Sequence, residues 1–383
     1  MAGALKFLYS SFDDLTQSKG ASIHIQAFCR SIVAGTEHHL DLVTVSPTPE
    51  PMPPYRLYPQ VTHIQLPALG KNLIDRVLSF RENLRLWLGQ NTYDVIHFRS
   101  IWEGLPLVRA GACRLIYEVN GLPSIELKYR YPDLLDDRDL LAKIRSQENF
   151  CLQRANLILT PSPVTEAYLR SRGVTTPIQV IPNGVDTELF VPHPPPPTPP
   201  TQILYFGTFA PWQGLELAIR ALAQLPPTFY LKAIGQGTKT QRRNLQKLIH
   251  KLDLEHRCQL LPPMPQTQLV PYLHQSHLVV APLTLCDRNL VQGCCPLKVL
   301  EAMAGGVPVV TTDLPVVRHL GIDRQHFLLT RPNSVEDMVA KIQELDRDPH
   351  LRHQLSIHAR QHILDNFTWQ KAGTALQQAY AQW

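Results

Sequence analysis

The chain has 383 residues, of which 44% are hydrophobic and 18% charged, a composition that excludes a mainly disordered or fibrous protein. This length predicts two or three domains. The sequence contains no run of about 18 apolar residues, which is the signal of a membrane-spanning helix. The net charge of +5 lies entirely in the second half, because residues 1–190 carry 19 basic and 19 acidic side chains whereas residues 191–383 carry 18 and 13. That excess favours a small anionic ligand over nucleic acid, for which a basic face with stacking aromatic residues would be expected.

Cysteine usage and the first residues indicate a compartment. The seven cysteines are an odd number without paired spacing, which argues against a disulfide framework and against a zinc site. The polar residues Ser10 and Asp13 interrupt the first part of the sequence, so the apolar run there is too short for a signal peptide. We therefore expect a cytoplasmic protein without a metal ion, and peripheral contact with the inner membrane face stays open.

From Lys6 onward, short and nearly continuous apolar runs alternate with longer amphipathic stretches. Such runs are typical of parallel strands covered on both faces, and the stretches between them follow the helical period of 3.6 residues. The predicted strands are Lys6–Ser10, Leu40–Val45, Tyr93–Phe98, Arg114–Val119, Asn156–Thr160 and Ile178–Ile181 in the first half, and Gln202–Gly207, Tyr230–Gly235, His277–Ala281 and Val307–Thr311 in the second. The pattern predicts an α/β fold of two doubly wound, Rossmann-like domains with parallel sheets.

Seven prolines lie within residues 192–200, between the two patterns. Proline fixes φ and lacks an N–H group, so this segment predicts a semi-rigid polyproline spacer. We expect an N-terminal domain at 1–191, the linker at 192–200, a C-terminal domain at 201–365 and a last helix at 366–383. A PxxP ligand for a partner protein is the alternative, but the position between two globular patterns favours a linker.

The segment 292–310 is the strongest candidate site of the second domain. Doubly wound sheets bind ligands at the carboxyl ends of their strands, so we expect the site in a cleft between the two facing domains. Here a turn leads into a helix that Pro296 opens at its first position. The first N–H groups of this helix would bind an anion, and Lys298 adds a full positive charge. Glu301 lies one turn further on and would accept hydrogen bonds from a ribose diol. The candidate residues of this segment are Cys295, Pro296, Leu297, Lys298 and Glu301, and an ordinary turn with a solvated lysine is the alternative interpretation.

Two glycine turns follow other strands of the second domain. Gly207 comes after the first of these strands, with Thr208 and Gln213 as polar neighbours, while Gly235 and Gly237 follow the next strand. Glycine allows the backbone to approach a ligand closely. Neither turn is a G-x-G-x-x-G fingerprint, and each would equally serve to turn the chain.

Polar residues also follow the strands of the first domain. They are Gly20, Ala21, His97, Arg99, Glu118 and Asn120. Because the ends of parallel strands meet at one edge of a sheet, we expect these residues to line one side of the cleft. His97 alone would as readily be a packing residue, and Glu118 is the one acid of the group. No serine triad, P-loop or metal-ligand cluster competes with this site.

These motifs resemble glycosyltransferase family 4, retaining enzymes with the GT-B fold that use nucleotide sugars. The resemblance runs over nearly the whole chain and rests on VIPNGVD at 180–186 with Phe190, on the segment 296–310, and on FTW at 367–369. It implies transfer of a sugar from a UDP-, GDP- or ADP-linked donor to a glycan, lipid-linked or small-molecule acceptor. It also implies that the second domain binds the donor, the first domain binds the acceptor, and the last helix crosses back to the first domain. No metal cofactor is implied, because basic groups and a helix dipole neutralise the leaving diphosphate.

Several residues depart from the family pattern. The family has two glutamates separated by seven residues, and here Gly293 occupies the first position while Glu301 keeps the second, which binds ribose. The usual phosphate-binding arginine and lysine correspond to Thr208 and Gln213, so two expected charges are missing. We expect Lys298 and a second cation, Arg288, to replace them.

The residues expected to act in catalysis are Lys298, Glu301, Arg288 and Asn120. Asn120 stands where the family usually has a histidine, and Arg99 stands near His97 where a second histidine is usual. The missing groups favour an alternative, a transferase-like protein that binds nucleotide sugars without catalysis. A sugar epimerase or phosphorylase would need a cofactor lysine or further acids, for which the sequence gives no candidates.

Overall fold

The computed structural model describes residues 4–16, 19–50, 52–110, 113–131, 137–197 and 199–382. The chain divides into two compact units, one formed by residues 1–182 with 372–383 and the other by residues 183–371. Each unit is an α/β domain built on one sheet. Its strands are nearly all parallel, as their continuous apolar runs predict.

The sheet of the first unit has eight strands in the order β3-β4-β2-β1-β5-β6-β7-β8. The strands are β1 (Lys6–Ser10), β2 (His39–Val45), β3 (Tyr55–Tyr58), β4 (Val61–Leu66), β5 (Val95–Phe98), β6 (Arg114–Glu118), β7 (Leu157–Thr160) and β8 (Ile178–Val180). The antiparallel pairing of the sheet is that of the edge strand β3 with β4. The strand order reverses between β1 and β5, whose register pairs Tyr9 with His97. Ligands of doubly wound sheets bind at such a switch point.

The helices of this unit are α1 (Gly20–Val33), α2 (Leu73–Leu88), α3 (Ile101–Leu107), α4 (Pro123–Arg130), α5 (Arg138–Arg154) and α6 (Pro163–Ser171). The last helix of the chain, α14 (Trp369–Ala381), packs here through its second half. Its Gln377 Nε2 donates to the backbone oxygens of Ser31 and Ala34, both at 2.8 Å.

The second unit has six parallel strands in the order β11-β10-β9-β12-β13-β14, with its switch point between β9 and β12. The strands are β9 (Thr201–Phe206), β10 (Phe229–Ile234), β11 (Cys258–Leu261), β12 (Leu278–Ala281), β13 (Val309–Thr312) and β14 (Leu328–Thr330). The helices are α7 (Leu215–Gln224), α8 (Lys239–Lys251), α9 (Gln266–His274), α10 (Leu297–Ala304), α11 (Pro315–Arg318), α12 (Val335–Arg347) and α13 (Pro349–Asn366). A 3₁₀ turn at Pro211–Gln213 and a π turn at Arg288–Gln292 complete the unit.

Each predicted strand is present, with ends shifted by at most two residues, and four further strands were not predicted. Of these, β3, β11 and β14 are short edge strands, where little apolar surface is buried on both sides. The fourth, β4, reads VTHIQL and mixes polar with apolar residues. A mixed sequence does not resemble the continuous runs of the strands that were predicted.

The structure moves two predicted boundaries. The units divide between Pro182 and Asn183, ahead of the proline-rich segment at 192–200, in which Thr198 lies outside the described residues. Residues 183–191 belong to the second unit because Arg360 binds the backbone oxygens of Thr187 and Phe190, at 3.0 and 2.7 Å.

The other boundary is the start of α10. Pro296 precedes this helix as its N-cap instead of opening it, since its ψ of 101° is extended.

Candidate active site

A buried carboxylate, Glu118, ends β6 beside the switch point of the first unit. Its two oxygens accept hydrogen bonds from four side chains, Tyr9 Oη at 2.6 Å, His97 Nε2 at 2.9 Å, Arg99 Nε at 3.1 Å, and Asn120 Nδ2, and His24 Nε2 lies 2.7 Å from one of these oxygens. Two carboxylate oxygens offer about four lone-pair directions, so these donors leave none for a ligand. Glu118 is 2% exposed. In this arrangement Glu118 orients its protein neighbours, and its predicted contact with an acceptor stays a prediction.

Charge balance keeps Glu118 ionised. Burial alone would raise its pKa, but His24 and Arg99 outweigh burial and hold the pKa well below its usual range. The same pairing raises the pKa of Arg99, although burial opposes that change. Glu118 and Arg99 thus form a permanent ion pair beneath the strand ends.

His97 is fully buried and serves as a packing residue. Its Nε2 donates to Glu118 and its Nδ1 lies 2.6 Å from the Tyr380 hydroxyl of α14, which fits a neutral ring with the proton on Nε2. Burial lowers the pKa of His97, while the hydrogen bond that His97 donates to Glu118 opposes that shift. Of the two interpretations of His97, the geometry supports the structural one.

A chain of alternating charges leads from Glu118 toward the surface. Arg99 Nη1 lies 3.2 Å from Asp13 Oδ2, and Asp13 Oδ1 lies 2.7 Å from Lys19 Nζ. Lys19 precedes α1, whose first residues are the exposed Gly20 and the half-buried Ala21. Asp13 was not predicted from the sequence, although it follows the first strand as the predicted residues do. The accessible members of this group are Asp13, Lys19, Gly20, Ala21 and the half-buried Asn120.

In the second unit, Lys298 lies in the first turn of α10 at the switch point. The residue is 8% exposed, and its ammonium has no hydrogen-bond partner among the described residues. The Nζ atom lies 4.2 Å from the centre of the Tyr205 ring and close to Gly207, where an added Cβ would stand 3.1 Å from it. Burial, and after it the charge of Arg288, lower the pKa of Lys298 to about 7. An unpartnered ammonium costs free energy unless an anion completes the site.

Arg288 is held on the π turn beside the same lysine. Its guanidinium lies 5.4 Å from the centre of the Trp212 ring. The turn is fixed by the buried Asn289, whose Nδ2 donates at 2.9 Å to the backbone oxygens of Trp212 and Thr284. The sequence predicts a loop at this place, and the structure has a π turn that ends at Gly293, with φ 84° and ψ 165°. Because the charge of Arg288 lowers the pKa of Lys298, both cations lie in one electrostatic field.

Glu301 lies one turn beyond Lys298 and is 5% exposed. Gln266 at the start of α9 donates from Nε2 to Glu301 Oε1 at 2.5 Å. Burial raises the pKa of Glu301 to about 7, and the bond from Gln266 and the charge of Lys298 limit the rise. The structure thus brings Lys298, Arg288 and Glu301 into one region, as the sequence predicts, and adds Gln266.

The remaining predicted donor residues have mixed positions. An added Cβ at Gly235 would lie 1.6 Å from the Gly207 oxygen, and one at Gly237 would lie 2.9 Å from the Phe209 ring, so packing within the unit already requires both glycines. Thr208 is exposed, whereas the Oε1 atom of Gln213 is buried and has no hydrogen bond within the described part of the chain.

The turn before α10 leads directly into the start of this helix, where Lys298 lies. The Cys295 carbonyl accepts a hydrogen bond from Asn183 Nδ2 at 2.7 Å, which fixes the turn, and Pro296 and Leu297 are half-buried. Over the described ranges, no side chain caps α10 and no acid lies in its first turn. A helix start of this kind attracts anions. No group of three potential metal ligands occurs in the described part of the chain.

Two family models match successive parts of the chain. The model described as Glycosyltransferase Family 4 matches residues 18–189, and the model described as Glycosyl transferases group 1 matches residues 186–362. A glycogen synthase of Mycobacterium tuberculosis is 28% identical over 207 residues, which are 53% of this chain and 48% of that protein. The chain therefore spans about half the length of that relative.

Two solved structures show the same fold over nearly the whole chain. Sucrose-phosphate synthase from Thermosynechococcus elongatus has a TM-score of 0.86 at 21% identity and 99% coverage of both chains. HepE of Anabaena, in complex with UDP-glucose, has a TM-score of 0.76 at 16% identity, with 99% of this chain and 100% of that chain covered. Two parallel-sheet units of this kind define the GT-B fold.

The two family models follow one another along residues 18–362 without a gap. The chain belongs to glycosyltransferase family 4.

Proposed function

We propose that the protein is a retaining glycosyltransferase that moves a sugar from a nucleoside-diphosphate sugar to an acceptor. The observation that carries this proposal is the buried Lys298 ammonium, which lacks a partner at the start of α10 and lies one turn from Glu301. A diphosphate would supply the missing anion, and the ribose diol would lie against the carboxylate. The uracil nucleotide is our first choice of donor, because HepE is solved with UDP-glucose.

In this proposal the protein lowers the barrier mainly through electrostatics. Negative charge develops on the diphosphate as its bond to the sugar breaks. This charge would be neutralised by Lys298, Arg288 and the start of α10. Preorganised groups of this kind lower the activation barrier of a reaction by several kcal/mol. On the acceptor side we assign Asn120 with Gly20 and Ala21, because Glu118 and His97 are occupied by protein partners.

Screening tests the proposal directly. Thermal shift of the full chain with UDP, GDP and ADP sugars should identify a donor, because a ligand at 100 times its Kd stabilises a protein by about 2.7 kcal/mol. The identified donor is then incubated with chelator and without acceptor, and slow release of free sugar is expected without added metal. Binding without any hydrolysis or transfer would favour the alternative, a protein that binds nucleotide sugars without catalysis. Absence of binding to all three nucleotide classes would contradict both.

We further propose a cytoplasmic location with peripheral contact at the inner membrane face. All seven cysteines lie in the described ranges and none is disulfide-bonded, and no described helix is long and apolar enough to cross a membrane. Helix α2 exposes Ile74, Leu78 and Leu86 by 57, 57 and 61%, beside Arg76 and Arg85. Exposed apolar and basic side chains on one helix favour a membrane surface.

Flotation with vesicles that contain anionic phosphatidylglycerol tests this contact. The full chain should float with the vesicles, and the variant Ile74→Ser with Leu78→Ser should float less. Equal recovery of both proteins in the protein-only fraction would contradict membrane contact.

A further inference from the structure

Gln266 is the side chain that reaches Glu301 from another element. It is the first residue of α9, and it lies 35 residues before the glutamate that it contacts. Its Nε2 donates to Glu301 Oε1 at 2.5 Å, while the side chain itself is only half-buried. The contact therefore lies at the edge of the site, where a ligand bound to Glu301 would be close to the amide.

The amide leaves part of the carboxylate available. Across the described ranges, Glu301 Oε2 has no hydrogen-bond partner, and Oε1 has one donor. A carboxylate oxygen accepts up to two hydrogen bonds, so the pair of oxygens retains room for two hydroxyl groups. The amide of Gln266 is neutral, whereas a lysine or arginine at this position would pair with the negative charge and weaken its attraction for a hydroxyl.

The contact is not needed to hold α9 against α10. Leu273 of α9 packs on Gly305, where an added Cβ would lie 2.5 Å from Leu273 Cδ2. Leu269 and Leu273 are both buried. Apolar packing thus anchors α9, and the Gln266 amide at its first residue is not part of this packing.

We infer that Gln266 is a positioning residue that orients Glu301 for the 2′- and 3′-hydroxyls of the nucleotide ribose, and so sets the preference for ribose over deoxyribose. This inference rests on the proposed function. Without the amide, the Glu301 side chain would rotate more freely and would be protonated more readily in its buried position. Both changes weaken the hydroxyl contacts more than they weaken the diphosphate contacts of Lys298.

The test compares UDP with 2′-deoxy-UDP in calorimetric titrations of the full chain. The wild type should bind UDP more tightly than the deoxy compound. Gln266→Met keeps the length of the side chain and removes the donor. Loss of one hydrogen bond predicts a roughly 3- to 10-fold lower affinity for UDP and a much smaller change for 2′-deoxy-UDP.

Three further variants set the range of the effect. Gln268→Leu alters an exposed residue of the same helix and should leave the preference for ribose unchanged. Glu301→Ala should abolish that preference. Gln266→Glu, which replaces the donor by a second carboxylate of the same size, should reduce the preference further than Gln266→Met does, so the inference can be judged even if one variant folds poorly.

Three outcomes would overturn the inference. Equal losses of affinity for both nucleotides in Gln266→Met would assign the residue to general packing. A lower melting temperature with an unchanged preference for ribose would do the same. Failure of the wild type to bind UDP, GDP or ADP would overturn the proposed function itself, which separates that failure from the other two.

Discussion

The two units have the same topology at their switch points but differ in how completely the charges there are paired. In the first unit, five protein side chains surround Glu118, and the charge of Arg99 is shared with Asp13. In the second, the Lys298 ammonium has no hydrogen-bond partner among the described residues. A buried charge without a partner is costly, so it persists where a ligand completes it. Complete pairing indicates a structural role, and incomplete pairing indicates a binding site.

Glu118→Gln gives the largest expected effect. The substitution leaves Arg99 and its neighbours buried without their carboxylate, and breaking a buried ion pair costs about 3–5 kcal/mol. Urea unfolding should show this loss in the free energy of unfolding. The exposed Glu216, paired with Arg220, provides the control, since Glu216→Gln should change stability little. A Glu118→Gln protein of normal stability would show that the pairing in the first unit is not structural.

The same variant predicts a pH dependence. The pKa of Glu118 is lower in the folded than in the unfolded state, so its contribution is present above the unfolded pKa of about 4.3 and is lost as the pH falls toward the folded value. The stability difference between wild type and Glu118→Gln should therefore shrink below about pH 4.

Lys298→Met is expected to have the next largest effect. It keeps the side-chain stem and removes the charge, so kcat with a confirmed donor should fall at least ~100-fold, as for loss of one preorganised oxyanion donor. The melting temperature without ligand should hold or rise, because an unpaired charge has been removed from a buried position. Lys247→Met, at an exposed position of α8, is the matched control. Near-normal turnover in both Lys298→Met and Arg288→Met would place the required charge elsewhere.

Proton uptake on nucleotide binding is the smallest effect. At pH 8 the free protein holds Lys298 largely uncharged, because its pKa is about 7. A bound diphosphate favours the ammonium, so binding should take up a fraction of one proton at pH 8. Titration calorimetry in Tris and in HEPES would detect the uptake as a binding enthalpy that depends on the buffer. Buffer-independent heats in the wild type would contradict a lysine that gains its charge with the ligand.

Local sequence pattern predicts those parts of the molecule whose partners are close in the chain. The interior strands follow from continuous apolar runs, and Lys298 with Glu301 follows from one helix start. The contacts that complete the sites join distant residues: Gln266 reaches Glu301 across 35 positions, Asp13 reaches Arg99 across 86, and Tyr380 reaches His97 across 283. No periodicity encodes such pairs, because they form only when the sheet brings its strand ends together.

The backbone at Gly293 limits which substitutions this position accepts. Its φ of 84° with ψ of 165° belongs to a region that only glycine adopts readily, and another residue there costs about 1–3 kcal/mol. Introducing the glutamate of the family pattern by one substitution would therefore strain the end of the π turn at the same time as it adds a carboxylate. A glutamate at this position requires a different backbone for the turn from Arg288 to Gly293 as well as a different side chain.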